Sequence, residues 1–315
     1  MADGYDVPDS VRRKALALGA VGEAWLATLL PRLADVSTRW GLAVGRSLGG
    51  GTEAFVAEVT TRDGREAVLK LLPPTPQVDA EVATLVSAAG RGYAEVYAAD
   101  SRRGAVLLER LGPTLADLGL PVASQIDAIC GVLLEAWSVA PDGASLMSGA
   151  DKAAALYESI LDTWRALGRP EPDPVLDTAL RYASERRRRF NPRASVVAHG
   201  DPHPWNTLVV PGTQPRRFKL VDPDGLFVEA AYDLGVLMRD WSGEYGTGAP
   251  LDAGIARCRS LADRVGESPQ AVWEWGFVEC VSTGLFCSRL GLEEGRDLLD
   301  VARAWMELPN GGTPW

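Results

Sequence analysis

The feature that most constrains this chain is a short polar loop, H-G-D-P-H-P-W-N, at residues 199–206. Short apolar runs typical of strands lie on both sides of it, and a further run, F-K-L-V, ends at Asp222. The two prolines stiffen the loop and prevent it from forming a helix. The sequence therefore predicts two polar side chains, Asp201 and Asn206, held at a fixed spacing between strands, with Asp222 following soon after.

This order of side chains predicts phosphoryl transfer on a scaffold like that of the protein kinases. One carboxylate, Asp201, would orient an attacking hydroxyl and accept its proton. Asn206 and Asp222 would hold magnesium against a nucleoside triphosphate, because Mg²⁺ prefers oxygen ligands. Taken singly, each residue would favour an ordinary turn, where Asp and Asn are frequent. The ordered set in its strand context favours the catalytic interpretation.

Both histidines of the chain, His199 and His203, fall in the same loop. Their spacing of four would suit two zinc ligands on a helix, but the prolines prevent a helix, and the glutamate that metalloprotease chemistry needs is missing from the loop. The four cysteines include no C-x-x-C pair. Zinc-dependent hydrolysis, a zinc ribbon and a disulfide framework are therefore excluded.

An independent indication of kinase chemistry lies upstream, in the segment A-V-L-K-L-L. Lys70 stands in an otherwise apolar predicted strand, where a charge is costly unless it is paired. Glu81 follows eleven residues later on a predicted helix and is the expected partner. A kinase needs such a pair to bind nucleotide phosphates. The alternative is a surface lysine at the edge of a sheet.

A glycine cluster precedes Lys70, and its backbone N–H groups could approach phosphates. It consists of Gly49, Gly50 and Gly51. Such a cluster is more often only a turn. The chain has no G-x4-G-K-[ST] motif, which excludes a P-loop NTPase.

The segment patterns predict an α+β fold with two lobes. Residues 1–111 are expected to form two helices and then an antiparallel sheet with one inserted helix, the nucleotide-binding lobe. Residues 112–315 are expected to form a larger, mainly helical lobe that carries the catalytic loop and the acceptor site. Its helices are predicted at residues 124–139, 151–168, 174–190, 252–266, 269–290 and 293–307.

The composition and charge of the chain limit the kinds of molecule that it can bind. The 315-residue chain has a net charge of −10, which argues against a nucleic-acid binder, and it is 46% hydrophobic, which argues against disorder. Most of the excess acid lies after residue 111 and would attract a cationic molecule, although a solubilising surface explains the bias as well. Without an apolar span or leader, the chain is expected to be cytoplasmic. We expect a monomer that acts on a small molecule, without nucleic acid or membrane.

The stretch V-V-A-H-G-D-P-H-P-W-N-T-L-V-V, followed by L-V-D-P-D-G and A-A-Y-D-L-G, resembles the aminoglycoside phosphotransferase family. V-P-D-S, A-V-L-K-L and V-L-L-E-R-L make the chain similar to the branch of streptomycin 6-phosphotransferase and hydroxyurea phosphotransferase, over residues 7–305. The resemblance implies a two-lobed kinase-like fold. It also implies ATP- and Mg-dependent transfer of the γ-phosphate to a hydroxyl of a small cationic molecule, with streptomycin-type resistance as the first expectation.

The resemblance also assigns supporting roles. It implies that the segment L-E-R-L, with Glu109 and Leu111, meets the adenine, and that His199 and Asp233 support the catalytic loop. The chain departs from the family where Gly-Asp-Pro usually precedes the Y-D-L-G element, because Glu229 stands in place of that aspartate. The glycine cluster is likewise not a G-x-G-x-x-G motif.

Acids and aromatic residues after the catalytic loop are candidates for binding a cationic acceptor through ion pairs and cation–π contacts. They are Asp240, Trp241, Glu244, Trp273, Glu274, Trp275 and Glu279. A tryptophan at helical spacing is more often part of the core, and a helical acid more often faces solvent. Two other functions stay open: a metabolic kinase for a sugar, amino alcohol or hydroxyurea-type acceptor, and a nucleotide-binding pseudokinase. A pseudokinase would be expected to lack one of the residues that carry the chemistry, and Lys70, Asp201, Asn206 and Asp222 are all present.

Overall fold

A computed structural model of the chain describes residues 7–49, 54–75, 77–141, 146–169, 173–245, 249–307 and 314–315. The chain divides into two units. Unit 1 comprises residues up to Gly112 with residues 142–144 and 209–219, and unit 2 comprises residues 113–141, 145–208 and 220–315.

Unit 1 starts with two helices, as the sequence predicts: α1 (Asp9–Ala17) and α2 (Ala20–Trp40). Trp25, Leu29 and Leu33 recur every four residues on α2, and all three are buried in one core with apolar residues of the sheet. A Cβ at position 22 would lie 1.7 Å from the carbonyl oxygen of residue 15, so only glycine allows the two helices to meet.

The rest of unit 1 is a five-stranded antiparallel sheet with the order β1-β2-β3-β5-β4. Its strands are β1 (Ala43–Ser47), β2 (Phe55–Thr60), β3 (Glu66–Leu71), β4 (Val96–Asp100) and β5 (Ala105–Glu109). One helix, α3 (Gln77–Ala88), is inserted between β3 and β4. The Asp63-Gly64 turn joins β2 to β3, where Gly64 takes the left-handed φ of 83° that glycine permits.

Unit 2 is mainly helical. Its helices are α4 (Val122–Ala136), α5 (Gly149–Ala166), α6 (Pro174–Arg189), α7 (Ala231–Arg239), α8 (Pro250–Val265), α9 (Pro269–Arg289) and α10 (Glu294–Ala304). The six predicted helices match all of these except α7. The sequence pattern did not indicate α7, a nine-residue helix that closely follows β10 and whose residues 231–238 are all buried.

Short strands surround the polar loop. The strands β6 (Met147–Ser148), β7 (Val196–Ala198) and β10 (Leu226–Val228) form one sheet with the order β6-β10-β7. The strands β8 (Thr207–Val209) and β9 (Phe218–Leu220) form a two-stranded sheet. The loop at 199–206 therefore runs from β7 to β8, as its strand context predicts.

The two units divide the chain differently from the predicted lobes at one place. Residues 209–219, which the sequence division placed in the second lobe, belong to unit 1. The Gly112 N–H donates to the Val209 carbonyl at 2.8 Å, and the Lys219 ammonium forms an ion pair with Glu109. Contacts between residues this far apart in the chain are not visible in local sequence patterns.

The fold class is α+β, as expected, with the sheet concentrated in unit 1 and the helices in unit 2. In the part of the chain that the structure describes, no helix is long and apolar enough to cross a bilayer.

Candidate active site

The polar loop closes on itself. It ends in one turn of 3₁₀ helix at Pro204–Asn206, whose first position suits proline because no N–H is needed there. His203 caps this turn, since its Nδ1 accepts the Trp205 N–H at 3.2 Å. The Asn206 side-chain Nδ2 donates to the Asp201 carbonyl at 3.1 Å. These bonds bring Asn206 back beside Asp201.

Asp222 is tied to the same loop through its neighbour in the chain. The Val221 N–H donates to the Asn206 carbonyl at 2.9 Å, and the His199 Nε2 lies 2.8 Å from the Val221 carbonyl oxygen. Asp222 itself has a φ of 60°, which costs a non-glycine residue about 1–3 kcal/mol and is concentrated at functional sites. The structure thus brings Asp201, Asn206 and Asp222 together.

Asp233, fully buried on α7, anchors the start of the loop. It accepts the backbone N–H groups of His199 at 2.9 Å and Gly200 at 2.8 Å, and the indole N–H of Trp137 at 2.8 Å. Burial raises the pKa of Asp233, while these donors oppose the shift by stabilising the carboxylate. Asp233 therefore fixes the backbone that leads directly into Asp201.

His199 is a fully buried connector between the loop and β9. Burial lowers its pKa, so the ring is neutral at pH 7. Its Nδ1 accepts the Asp201 N–H at 3.1 Å, which leaves the proton on Nε2 for donation to Val221. A neutral ring with one donor and one acceptor satisfies both contacts.

Gly200 allows the loop to approach the D-P-D-G turn. Its φ is 96°, and a Cβ there would lie 2.5 Å from the Cβ of Asp224. The Asp224 N–H also donates to the His199 carbonyl at 2.7 Å. Only glycine fits where the loop passes this close to Asp224, which explains why a glycine stands between His199 and Asp201.

Asp201 lies between Arg239 and His203. Its Oδ1 accepts from Arg239, its Oδ2 lies 3.2 Å from the His203 Nε2, and the side chain is 36% exposed. Burial alone would raise its pKa, but the hydrogen bond from His203 and the charge of Arg239 hold the pKa of Asp201 well below its usual range. A carboxylate has about four lone-pair positions, so each oxygen can still accept a substrate hydroxyl.

Arg239, at the end of α7, is the site residue that sequence reasoning missed. Its guanidinium forms ion pairs with Asp201, with Glu279 at 2.9 Å and, more loosely, with Asp240 at 3.8 Å. It is a charge that follows the apolar stretch G-V-L-M, a signal related to the one that singled out Lys70, although Asp240 comes directly after it. That signal could have identified it.

Three of the acceptor candidates, Asp240, Trp241 and Glu244, already contact a cation of the protein itself. Arg257 on α8 forms an ion pair with Glu244 and lies 5.6 Å from the ring centroid of Trp241. It also donates to the backbone carbonyl of Asp240 at 2.8 Å. Of the Asp240 carboxylate, Oδ2 is buried and has no hydrogen-bond partner among the described residues. Asp240 is thus the candidate of this group that keeps an unpartnered carboxylate oxygen, and that oxygen is shielded from solvent.

The second group of candidates is buried in the helical core. Glu274 is 2% exposed and forms an ion pair with Arg186 at 2.7 Å. Glu229, where the chain departs from the family pattern, accepts the Trp275 indole N–H at 2.8 Å and lies 3.3 Å from Arg186. Trp273 is fully buried and packs against another indole. These side chains stabilise the packing of α6 against α9.

Within unit 1, Lys70 has the partner that the sequence predicts. Its ammonium lies 2.5 Å from the Glu81 carboxylate, and the lysine is 5% exposed. The Glu109 carboxylate accepts the Glu95 N–H at 2.7 Å as well as pairing with Lys219.

Leu111 is 6% exposed. Gly49 is described, and a Cβ there would meet no atom within 4 Å. Gly50 and Gly51 lie outside the described residues. The role predicted for the glycine cluster stays a prediction.

The loop residues suit magnesium by their chemistry. Asn206 turns its Nδ2 toward the Asp201 carbonyl, which leaves its Oδ1 available as a ligand atom, and Asp222 is exposed. Among the described residues, no three His, Cys, Asp or Glu side chains could hold a metal by themselves. Mg²⁺ commonly takes one or two protein ligands and fills its sphere with water and substrate phosphates. Asn206 and Asp222 fit that pattern.

Comparison with known proteins gives a consistent result. Residues 39–268 match a family model described as aminoglycoside/hydroxyurea antibiotic resistance kinase. The chain is 29% identical to streptomycin 6-kinase of Streptomyces glaucescens over 223 residues, 70% of each protein. It is 34% identical to hydroxyurea phosphotransferase of Kitasatospora aureofaciens over 148 residues, which cover 43% of this chain and 44% of the relative.

A solved structure supports the fold. The GDP complex of aminoglycoside 2'-phosphotransferase-IIIa matches with a TM-score of 0.58 at 16% identity, covering 87% of this chain and 98% of that one. At this identity the match establishes the fold alone, which is the protein-kinase-like α+β fold that the loop motif predicts.

Proposed function

Because this chain belongs to the aminoglycoside/hydroxyurea antibiotic resistance kinase family, we propose that it transfers the γ-phosphoryl group of ATP to a hydroxyl of a small cationic molecule. An aminoglycoside of the streptomycin type is the first candidate. The observation that carries the proposal is the cluster of an ionised, part-exposed Asp201 with Asn206 and Asp222 on one hydrogen-bonded framework.

Asp201 acts on the acceptor hydroxyl. One free lone pair of its carboxylate accepts the hydroxyl hydrogen and aims the oxygen at the phosphorus. With its pKa lowered, Asp201 is a weak base. That suits phosphoryl transfer, whose transition state is loose in most analyses and draws on positioning more than on early proton removal. The proton passes to Asp201 as the new O–P bond forms and the bond between the γ-phosphorus and the β–γ bridging oxygen breaks, which releases ADP.

Asn206 and Asp222 are the proposed magnesium ligands, and the bound ion would neutralise charge on the triphosphate. In unit 1, Lys70 is the proposed phosphate-binding lysine. Glu81 holds its ammonium at 2.5 Å, so the charge is already fixed before nucleotide binds. Fixing it beforehand reduces the conformational entropy lost on binding.

Asp240 is the proposed acceptor contact. The Asp240 side chain is 18% exposed and its Oδ2 has no partner among the described residues, so a rotation that brings this buried oxygen to the surface would let it accept a cationic group of the substrate. Asp240 follows Arg239 in the chain, and Arg239 contacts Asp201. A cation bound at Asp240 is therefore held close to the catalytic carboxylate.

A hydroxyurea-type acceptor is the second candidate. Arg257 already occupies Glu244 and covers Trp241, which reduces the acidic surface available to a polycation. A small acceptor needs fewer such contacts.

A coupled ADP-release assay tests both candidates. Purified protein is given ATP and Mg²⁺ with streptomycin, other aminoglycosides, hydroxyurea or simple sugars, and the product is checked by mass spectrometry for one added phosphoryl group. We expect acceptor-stimulated, Mg-dependent ADP release with streptomycin, abolished by Asp201→Ala. A loss in kcat of less than about tenfold in that variant would contradict the role of Asp201. The absence of stimulation by any aminoglycoside would contradict the substrate class.

A further inference from the structure

A chain of buried contacts joins helix α9 to the catalytic carboxylate. The Tyr232 hydroxyl donates to Glu279 Oε1 at 2.6 Å, and Glu279 Oε2 accepts from Arg239 at 2.9 Å. Arg239 in turn donates to Asp201 Oδ1. These contacts link the core of unit 2 to Oδ1 of Asp201, the carboxylate oxygen that faces Arg239.

Burial makes this chain rigid. Tyr232 is 1% exposed, the Glu279 side chain 5% and the Arg239 side chain 17%. The planar guanidinium of Arg239 presents its donors in a fixed fork, so the carboxylate on one side determines where the donor on the other side points. The Thr283 hydroxyl adds a second contact to the same guanidinium nitrogen at 3.2 Å.

From this arrangement we propose that Glu279 is a positioning residue. It holds Arg239 so that Arg239 fixes Asp201 Oδ1, and it does not contact the acceptor. Both Glu279 oxygens are engaged and the side chain is almost fully buried, which leaves no room for a substrate cation. The inference rests on the proposed role of Asp201 and replaces the sequence-based expectation that Glu279 binds substrate.

The chain supplies a matched control on the same helix. Glu274 lies five residues before Glu279 on α9, is equally buried, and also forms an ion pair with a buried arginine, Arg186. The two positions point about 140° apart around the helix axis, because each residue advances about 100°. Glu274→Gln and Glu279→Gln therefore remove equivalent buried ion pairs, but only Glu279 leads to Asp201.

Two reactions are measured for each variant: phosphorylation of the acceptor, and basal ATP hydrolysis in which water replaces the acceptor. For Glu279→Gln we expect kcat to fall at least tenfold in both reactions, with the acceptor KM within threefold of the wild-type value. For Glu274→Gln we expect both kcat values within twofold of wild type, with a comparable drop in Tm. Tyr232→Phe, which removes a single hydroxyl, keeps the test available if Glu279→Gln does not fold; we expect its kcat to fall about threefold.

Three outcomes overturn the positioning role. One is a raised acceptor KM with unchanged basal hydrolysis, which would make Glu279 an acceptor contact. Another is a kcat loss equal to that of Glu274→Gln, which would make its role only structural. The third applies if Glu279→Gln does not fold: an unchanged kcat in Tyr232→Phe would then overturn the positioning role. Basal hydrolysis separates this inference from the proposed function, since it reports on Asp201 even if none of the acceptors is phosphorylated.

Discussion

Replacing Asp233 by asparagine is the most informative single perturbation of the catalytic loop. The change keeps the shape of the side chain but turns one acceptor oxygen into an NH₂ donor. In the native structure Oδ2 accepts from Trp137 and from the His199 N–H, and Oδ1 accepts from the Gly200 N–H. An amide whose oxygen takes the Oδ2 position keeps two of these bonds and sets its NH₂ group against the Gly200 N–H.

The size of the effect follows from these contacts. Leaving one buried donor unpaired costs about 1–3 kcal/mol, and the two retained hydrogen bonds lose their charge assistance at roughly 1 kcal/mol each. Burying a neutral amide in place of a charged group offsets part of this loss. We expect the free energy of unfolding to fall by about 2–4 kcal/mol. Because Gly200 directly precedes Asp201, we also expect kcat to fall roughly 10- to 100-fold through misplacement of the carboxylate.

Urea unfolding and steady-state kinetics on the same preparations check both values. Trp137→Phe is the matched control, because it removes a donor to the same oxygen without touching the loop backbone. We expect it to cost about 1 kcal/mol and to leave kcat near wild type. A kcat within twofold of wild type for Asp233→Asn, despite a clear loss of stability, would refute the reasoning that Asp233 positions the loop.

Further perturbations address other parts of the site. Gly200→Ala forces a side chain into a left-handed backbone and against Asp224, so we expect kcat to fall more than tenfold, with a Tm lowered by several degrees in calorimetry. Burial lowers the pKa of His203, but the hydrogen bond and charge of Asp201 outweigh this effect and raise it above 6.5. The ion pair between protonated His203 and Asp201 therefore stabilises the fold below about pH 6.5, and this stabilisation is lost as the pH rises through the pKa of His203 in the folded state. We expect the difference in free energy of unfolding between wild type and His203→Gln to shrink from pH 6 to pH 9 in urea titrations. A difference that stays constant over this range would contradict the ion pair. Lys70→Met should raise the KM for ATP and lower kcat by at least tenfold, and unchanged nucleotide kinetics would remove the lysine from the proposed mechanism.

The sequence predicts the loop well because its information is local. The spacing of Asp201 and Asn206 and the intervening prolines lie within eight residues, and strand patterns flank them. Lys70 and Glu81 were predictable for a related reason, since a lone charge in an apolar strand requires a partner and the next helix offers one.

The acceptor side was less predictable, because its residues depend on how helices rotate against each other. Glu274 and Glu279 look alike in the sequence, yet one pairs with Arg186 and the other with Arg239. Residues 231–238 of helix α7 are all buried, so the local sequence does not reveal which neighbours Arg239, its last residue, contacts. Tertiary packing decides these contacts, and local sequence patterns do not reveal it.

Unit 1 has a consequence for how this protein is made. Eleven of its residues, 209–219, come from far downstream of its five-stranded sheet, and they supply the ammonium that pairs with Glu109 at the end of β5. Domains usually fold during synthesis from the N-terminus onward. Here the emerging polypeptide cannot complete its first unit until the ribosome has translated past Lys219, by which point the loop with Asp201 has already been synthesised.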